Sequence, residues 1–150
     1  MKKLFAIVVV LAAGTAAFIL LQGRVPGLGG DKSVLRRKSL RFLECLKFKN
    51  FAEAAAFHHP DELKSHPEIP RQLEDFFKIP PENLDIQDIN VDFVEIDSTG
   101  QRARVKTVSG VHVLNTKEDR RPEAVLYWKK MDGQWHLDLR TTLERGPRGP

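Results

Sequence analysis

An uninterrupted apolar run, LFAIVVVLAAGTAAFILL from Leu4 to Leu21, constrains this chain more than any other feature. Its eighteen residues carry no charge and make a helix of about 27 Å, the thickness of a bilayer's hydrocarbon core. Lys2 and Lys3 precede it, and Gln22, Gly23 and Arg24 close it. A basic flank on that side orients a retained anchor with its N-terminus inside, so that the rest of the chain faces outward. Two other readings stay open. One is a cleaved export signal, which needs a shorter apolar region and a small-x-small site, here a cut between Ala12 and Ala17. The other is a buried helix of a soluble protein.

What remains after the run is the size of one domain, since the whole chain has 150 residues, 41% of them hydrophobic and 29% charged. The single cysteine, Cys45, cannot bridge within the chain, which excludes a disulfide-rich scaffold. It sits inside a charged helical pattern beside Leu46, with no histidine close in sequence, and reads as a buried helix residue rather than a nucleophile or lipid attachment point. We divide the chain into an anchor or signal peptide at 1–23, a flexible Gly- and Pro-containing linker at 24–32, a folded domain at 33–143 and a disordered tail at 144–150.

Within the domain, Val34, Leu35, Leu40, Leu43, Leu46, Phe51, Ala54, Ala55 and Phe57 recur at helical intervals and predict a helix from about 33 to 57. Pro60, after His58 and His59, stops it. A short turn at 61–64 and a short helix from Pro67 or Pro70 follow, with Leu73, Phe76 and Phe77 on its apolar side and Pro80-Pro81 as its end. The second half alternates. A long strand over 86–96 shifts phase near Phe93, which predicts a bend or bulge. Thr99-Gly100 turns into a second strand over 103–115, interrupted near Ser109-Gly110. A third runs from Arg121 to Met131, Asp132-Gly133 makes a hairpin turn, and a fourth covers 134–142. Helices followed by an antiparallel meander predict an α+β domain, a long helix and two short ones packed on a curved four-stranded sheet.

Tyr127-Trp128-Lys129-Lys130-Met131-Asp132-Gly133-Gln134-Trp135-His136-Leu137-Asp138 resembles the closing hairpin of the ketosteroid-isomerase-like, or nuclear-transport-factor-two-like, cone-shaped domains. The order of elements from 33 to 142 is similar to theirs, and a cystatin-like helix-on-sheet domain shares much of the pattern. The resemblance implies the cone fold. For function it implies a range, from isomerases, dehydratases and small-ligand binders to assembly components, and it makes a homodimer through the open sheet an expected partner arrangement.

Charge is unevenly placed. Residues 24–49 carry a net +6, residues 50–100 a net −9 and residues 101–150 a net +5. An acidic first strand beside basic later strands reads either as internal complementarity or as a dipolar surface for a partner. The basic side chains of the long helix, Arg37 and Arg41 among them, are either a solvated face or a face for an anionic partner. Outside the anchor the balance is small, so nucleic acid is not an expected partner. No glycine-rich phosphate loop follows a strand, and no histidine or cysteine spacing suits a metal. No cofactor and no catalytic residue is expected from these patterns.

An enzyme of cone shape needs an acid or base within the cone. Asp92, His112 and Asp138 are the pocket candidates, with His136 and Tyr127 beside them. Trp135, Leu137 and Leu139 form the apolar face of the last strand, which turns His136 and Asp138 the other way. Tyr127 and Trp128, with Arg37 and Arg41, are the interface candidates; core packing is the default role of the aromatics, and an exposed Trp128, out of phase with its strand's inward residues, would mark an interface anchor. The reading is a single-pass protein of a bacterial inner membrane, its domain in the periplasm, acting without catalysis as an interaction or assembly component of an envelope complex. The alternative is a binder of, or isomerase-type enzyme for, a small apolar molecule.

Overall fold

The computed structural model describes residues 30–76 and 83–145. The chain divides into two units, Met1–Val34 and Leu35–Pro150, and the second holds the sheet. The apolar run 4–21, the linker to residue 29, Phe77, Pro80-Pro81 and the end of the tail lie outside the described residues. Among the described residues no helix is long and apolar enough to cross a membrane.

Leu35, Ser39, Phe42, Leu43 and Leu46 fall on one helical stripe, and helix α1 spans Gly30–Lys47 with that stripe buried. It does not continue to residue 57. Lys49 takes a left-handed conformation with φ 59°. Its N–H donates to the Leu46 carbonyl at 3.0 Å, and the Asn50 N–H donates to the Cys45 carbonyl at 2.8 Å. These paired bonds around a left-handed residue close the helix. Asn50 then starts α2 (Phe51–Ala55), accepting from the Glu53 N–H and donating to its carboxylate. A cap with an acid three positions on outweighs the continuity of the apolar pattern. Helix α3 (Pro60–Ser65) has proline in its first turn, and α4 (Ile69–Phe76) buries Ile69 and Leu73.

The strands are β1 (Leu84–Ile96), β2 (Arg102–Val113), β3 (Glu118–Arg120), β4 (Glu123–Met131) and β5 (Gln134–Leu137). Strands β1, β2, β4 and β5 lie in that order, all antiparallel, and β3 pairs with the end of β2. Strands β3 and β4 share one register against β2, with Val111 opposite Arg120 and Val108 opposite Glu123; Pro122 marks the break, since it lacks a ladder donor. The phase shift near Phe93 is a register shift between Val91 and Phe93, with another between Ile86 and Asp88. After the first of these, Phe93 stands opposite Lys106 and is 40% exposed, whereas Val91, opposite Thr107, is buried. Asp132 (φ 50°) and Gly133 (φ 73°) make the two-residue hairpin between β4 and β5.

The last strand ends five residues earlier than its sequence predicts. Asp138 extends the ladder by one bond, its N–H donating to the Tyr127 carbonyl at 2.8 Å. Its carboxylate then accepts from the Thr141 N–H at 3.1 Å and from the Thr141 hydroxyl at 2.9 Å. It is the cap of helix α5 (Leu139–Arg145).

Helix α1 touches both end strands of the sheet. Arg36 donates to the Val91 carbonyl at 3.0 Å and Lys47 to the Gln87 carbonyl at 3.1 Å, both on β1. Lys38 donates to the Trp135 carbonyl on β5 at 2.6 Å. One helix reaches both edges only if the sheet curls, and the strands form a half-barrel against it. The same three side chains satisfy edge carbonyls that would otherwise invite another strand. Inside, Val105, Leu126, Trp128, Trp135 and Leu137 of the sheet are buried, as are Leu35, Phe42 and Leu73 of the helices. Phe57 lies edge-on to Phe42 at 5.8 Å and to Trp128 at 6.3 Å between ring centres.

Candidate functional site

The outer face of the sheet carries charges of both signs. Acidic residues of β1 stand beside basic residues of the following strands and pair with them. Arg104 binds Glu95 at 2.6 Å, Lys106 lies 3.5 Å from Asp92 and 2.9 Å from Glu123, and Arg121 lies 3.8 Å from Asp88. The hydrogen bond that Lys106 donates to Glu123 first, with Asp92 adding, holds its ammonium above the usual range. Along these strands the unevenly placed charges complement one another, in pairs at or near the surface that add little stability each.

The pocket candidates do not converge. Asp92 is exposed at the bulge and pairs with Lys106. His112 sits on the outer face with Asp119 at 2.7 Å from its Nδ1. Asp138 caps α5. Three separate structural duties leave no acid-base pair among them. The interface candidates divide. Trp128 is 1% exposed and lies in phase with Leu126, because the register sets it against the small Ala103 and Leu126 against Val105. As an interface candidate Trp128 is therefore corrected: it takes the default role and packs the core. Tyr127 takes the outer face opposite Arg104 and is half-buried. Arg41 is held by Glu53 at 2.7 Å and Glu44 at 3.4 Å, and Arg37 is exposed on α1. Cys45 is buried, and burial pushes its thiol pKa up.

A cluster that sequence reasoning missed lies where the α2–α3 connection meets the β4–β5 hairpin. The Leu137 N–H donates to the Phe57 carbonyl at 2.8 Å, so the connection covers the β5 edge. His58, 2% exposed, places Nδ1 2.8 Å from the Ala55 carbonyl. His59 caps α3 through Nδ1, accepting from the Asp61 N–H at 3.2 Å, and places Nε2 3.4 Å from Asp132. Its ring meets that of His136 edge-on at 5.0 Å. Glu62 pairs with Lys129 beside them. Burial, above all, pulls the His58 imidazole below the ordinary histidine range; burial and then the Lys38 and His59 charges do the same to His136. The adjacent pair His58-His59 before Pro60 signals a helix end, but nothing in the sequence ties it to a residue on β5.

The buried polar atoms without a hydrogen-bond partner among the described residues are Ser39 Oγ, His58 Nε2, Trp128 Nε1 and Trp135 Nε1. None is a carboxylate. Among the described residues no group of three or more His, Cys, Asp or Glu side chains could hold a metal ion.

No family model and no curated protein matches the chain. Among solved structures it is similar to the intermembrane-space region of the chloroplast protein ARC6, with 12% identity over 68% of this chain and 91% of that one and a TM-score of 0.30. A likeness of that size carries no argument about function.

Proposed function

We propose that this protein is a non-catalytic interaction or assembly component of a cell envelope, held to the bacterial inner membrane by residues 4–21 with its domain in the periplasm. The observation that carries the reading is the filled interior. The face of the sheet that would line a cone's pocket is occupied by the buried side chains of Trp128, Trp135, Leu126, Leu137 and Val105, with Phe57 edge-on both to Trp128 and to Phe42 of α1. Side chains so placed contribute about 1.5–3 kcal/mol each through burial, which is a core's role rather than a ligand's wall. The pocket candidates Asp92, His112 and Asp138 lie in surface pairs and a helix cap. What is left outside is a charged sheet face bearing Phe93 and Tyr127, and the exposed Arg37. The cone-fold kinship, with its homodimer, belongs to the same proposal and rests on the Tyr127–Asp138 hairpin.

The test is a mild-detergent pulldown of the full-length chain from its native membrane, with a version lacking residues 1–31 as control. A stoichiometric protein partner that is lost with the deletion is the expected result. Recovery of the chain alone from the membrane, together with saturable binding of a small apolar probe, would overturn the reading in favour of a ligand pocket.

A further inference from the structure

We propose that the Phe57–His59 segment is an acid-released strap over the β5 edge, with buried His58 as the group whose protonation releases it. Three geometric facts support this. The segment closes the edge through the bond from the Leu137 N–H to the Phe57 carbonyl. His58 is buried with Nδ1 at the Ala55 carbonyl and no hydrogen-bond partner for Nε2 among the described residues. A second proton on that ring therefore has no acceptor within hydrogen-bond distance while the strap is closed, and burying an unpaired charge is costly. Finally, two more histidines stand at the same junction, His59 and His136, with rings 5.0 Å apart.

The charged surroundings come from every element packed there. Lys38 of α1 and Lys129 of β4 oppose a further positive charge, whereas Glu62 of α3 and Asp138 after β5 favour one; Asp61 and Asp132 lie against His59. Glu62 is already paired with Lys129. Burial is the largest influence on both His58 and His136 and keeps both imidazoles neutral to lower pH than a free histidine. For a base so depressed, the open form binds protons first. Closure is therefore fully favoured above the ordinary histidine value of 6.5 and is lost as pH falls below it. Opening uncovers Phe57 and the β5 edge, an unpaired strand able to accept another chain.

The experiment is amide exchange on the full-length chain in detergent between pH 7.5 and pH 5, corrected for intrinsic rates, with the His58 ring followed by NMR over the same range. The expected result is a loss of protection of about tenfold or more at Leu137, with Val105 in the central strand unchanged, and a midpoint that coincides with titration of His58. In His58→Asn, which keeps a donor toward Ala55 but does not titrate, the loss should disappear. Undiminished protection of Leu137 at pH 5, an equal loss at Val105, or the same loss in His58→Asn would overturn the proposal. Should His58→Asn not fold, the wild-type chain still decides: ring titration while Leu137 stays protected refutes the strap.

Discussion

Replacing Lys49 by glycine should make this protein more stable, although Lys49 is an exposed residue at the end of a helix. Its φ of 59° places an L side chain in the left-handed region, which costs roughly 1–2 kcal/mol. The bonds from the Lys49 and Asn50 amides to Leu46 and Cys45 need that conformation, so the helix end cannot relax out of it. Glycine removes the steric cost but gives the unfolded chain more freedom, worth about 0.5–1 kcal/mol. The balance is a gain of about 0.5–1 kcal/mol, or a rise in Tm of about 2–5 °C for a domain of this size. Thermal unfolding of the full-length chain by circular dichroism, at fixed detergent, reads it directly. Lys49→Ala is the control, since it trims the side chain and keeps Cβ; it should move Tm by no more than the surface-substitution scatter of about 0.5 kcal/mol. A glycine variant that melts lower, or an alanine variant that gains as much, would refute the argument that backbone conformation at this turn is the source.

Asp138→Ala should cost about 1 kcal/mol in urea denaturation while Asp138→Asn keeps most of the stability, because an amide oxygen still accepts from the Thr141 N–H; no cost in either would mean that α5 is not held by this cap. At Gly110 an added Cβ would fall 1.7 Å from Asp88 Oδ1, the end of a side chain that can swing aside, so Gly110→Ala should lose no more than about 1 kcal/mol. Combined with Asp88→Ala the loss should be smaller than the two single losses together, and simple additivity would count against a clash with Asp88. Cys45 is buried with its thiol pKa raised, so iodoacetamide should modify it at least about tenfold more slowly in the folded chain than in urea; equal rates would place the thiol at the surface.

Much of the fold was legible because local patterns and tertiary contacts agree. The helical stripe from Leu35 to Leu46, the alternation of β1 to β4, the Asp132-Gly133 turn and the phase shift at Phe93 all describe faces that bury or turns that only certain residues make. The overruns of helix α1 and of the last strand have one cause. Asn50 and Asp138 each cap a helix inside a run whose apolar spacing continues past them, and periodicity does not register a cap. The strand around Trp128 carries apolar residues on both faces, and only its pairing with Ala103 and Val105 decides which face is inside.

For the site, the sequence by itself determined the apolar run, the uneven charge, and the lack of a motif for phosphate or metal, since these are properties of neighbouring residues and composition. Tertiary structure alone decided what the charges do. Arg104 meets Glu95 across a turn, Lys106 meets Asp92 and Glu123 from strands on either side, and Arg36 and Lys38, two residues apart, reach opposite edges of the sheet. His58 and His136 lie far apart in the chain and share one junction only because β5 accepts the α2–α3 connection along its edge. Pairings of this kind follow from strand order and curl, which bring distant residues together by the burial of the face behind them, and no local spacing encodes that.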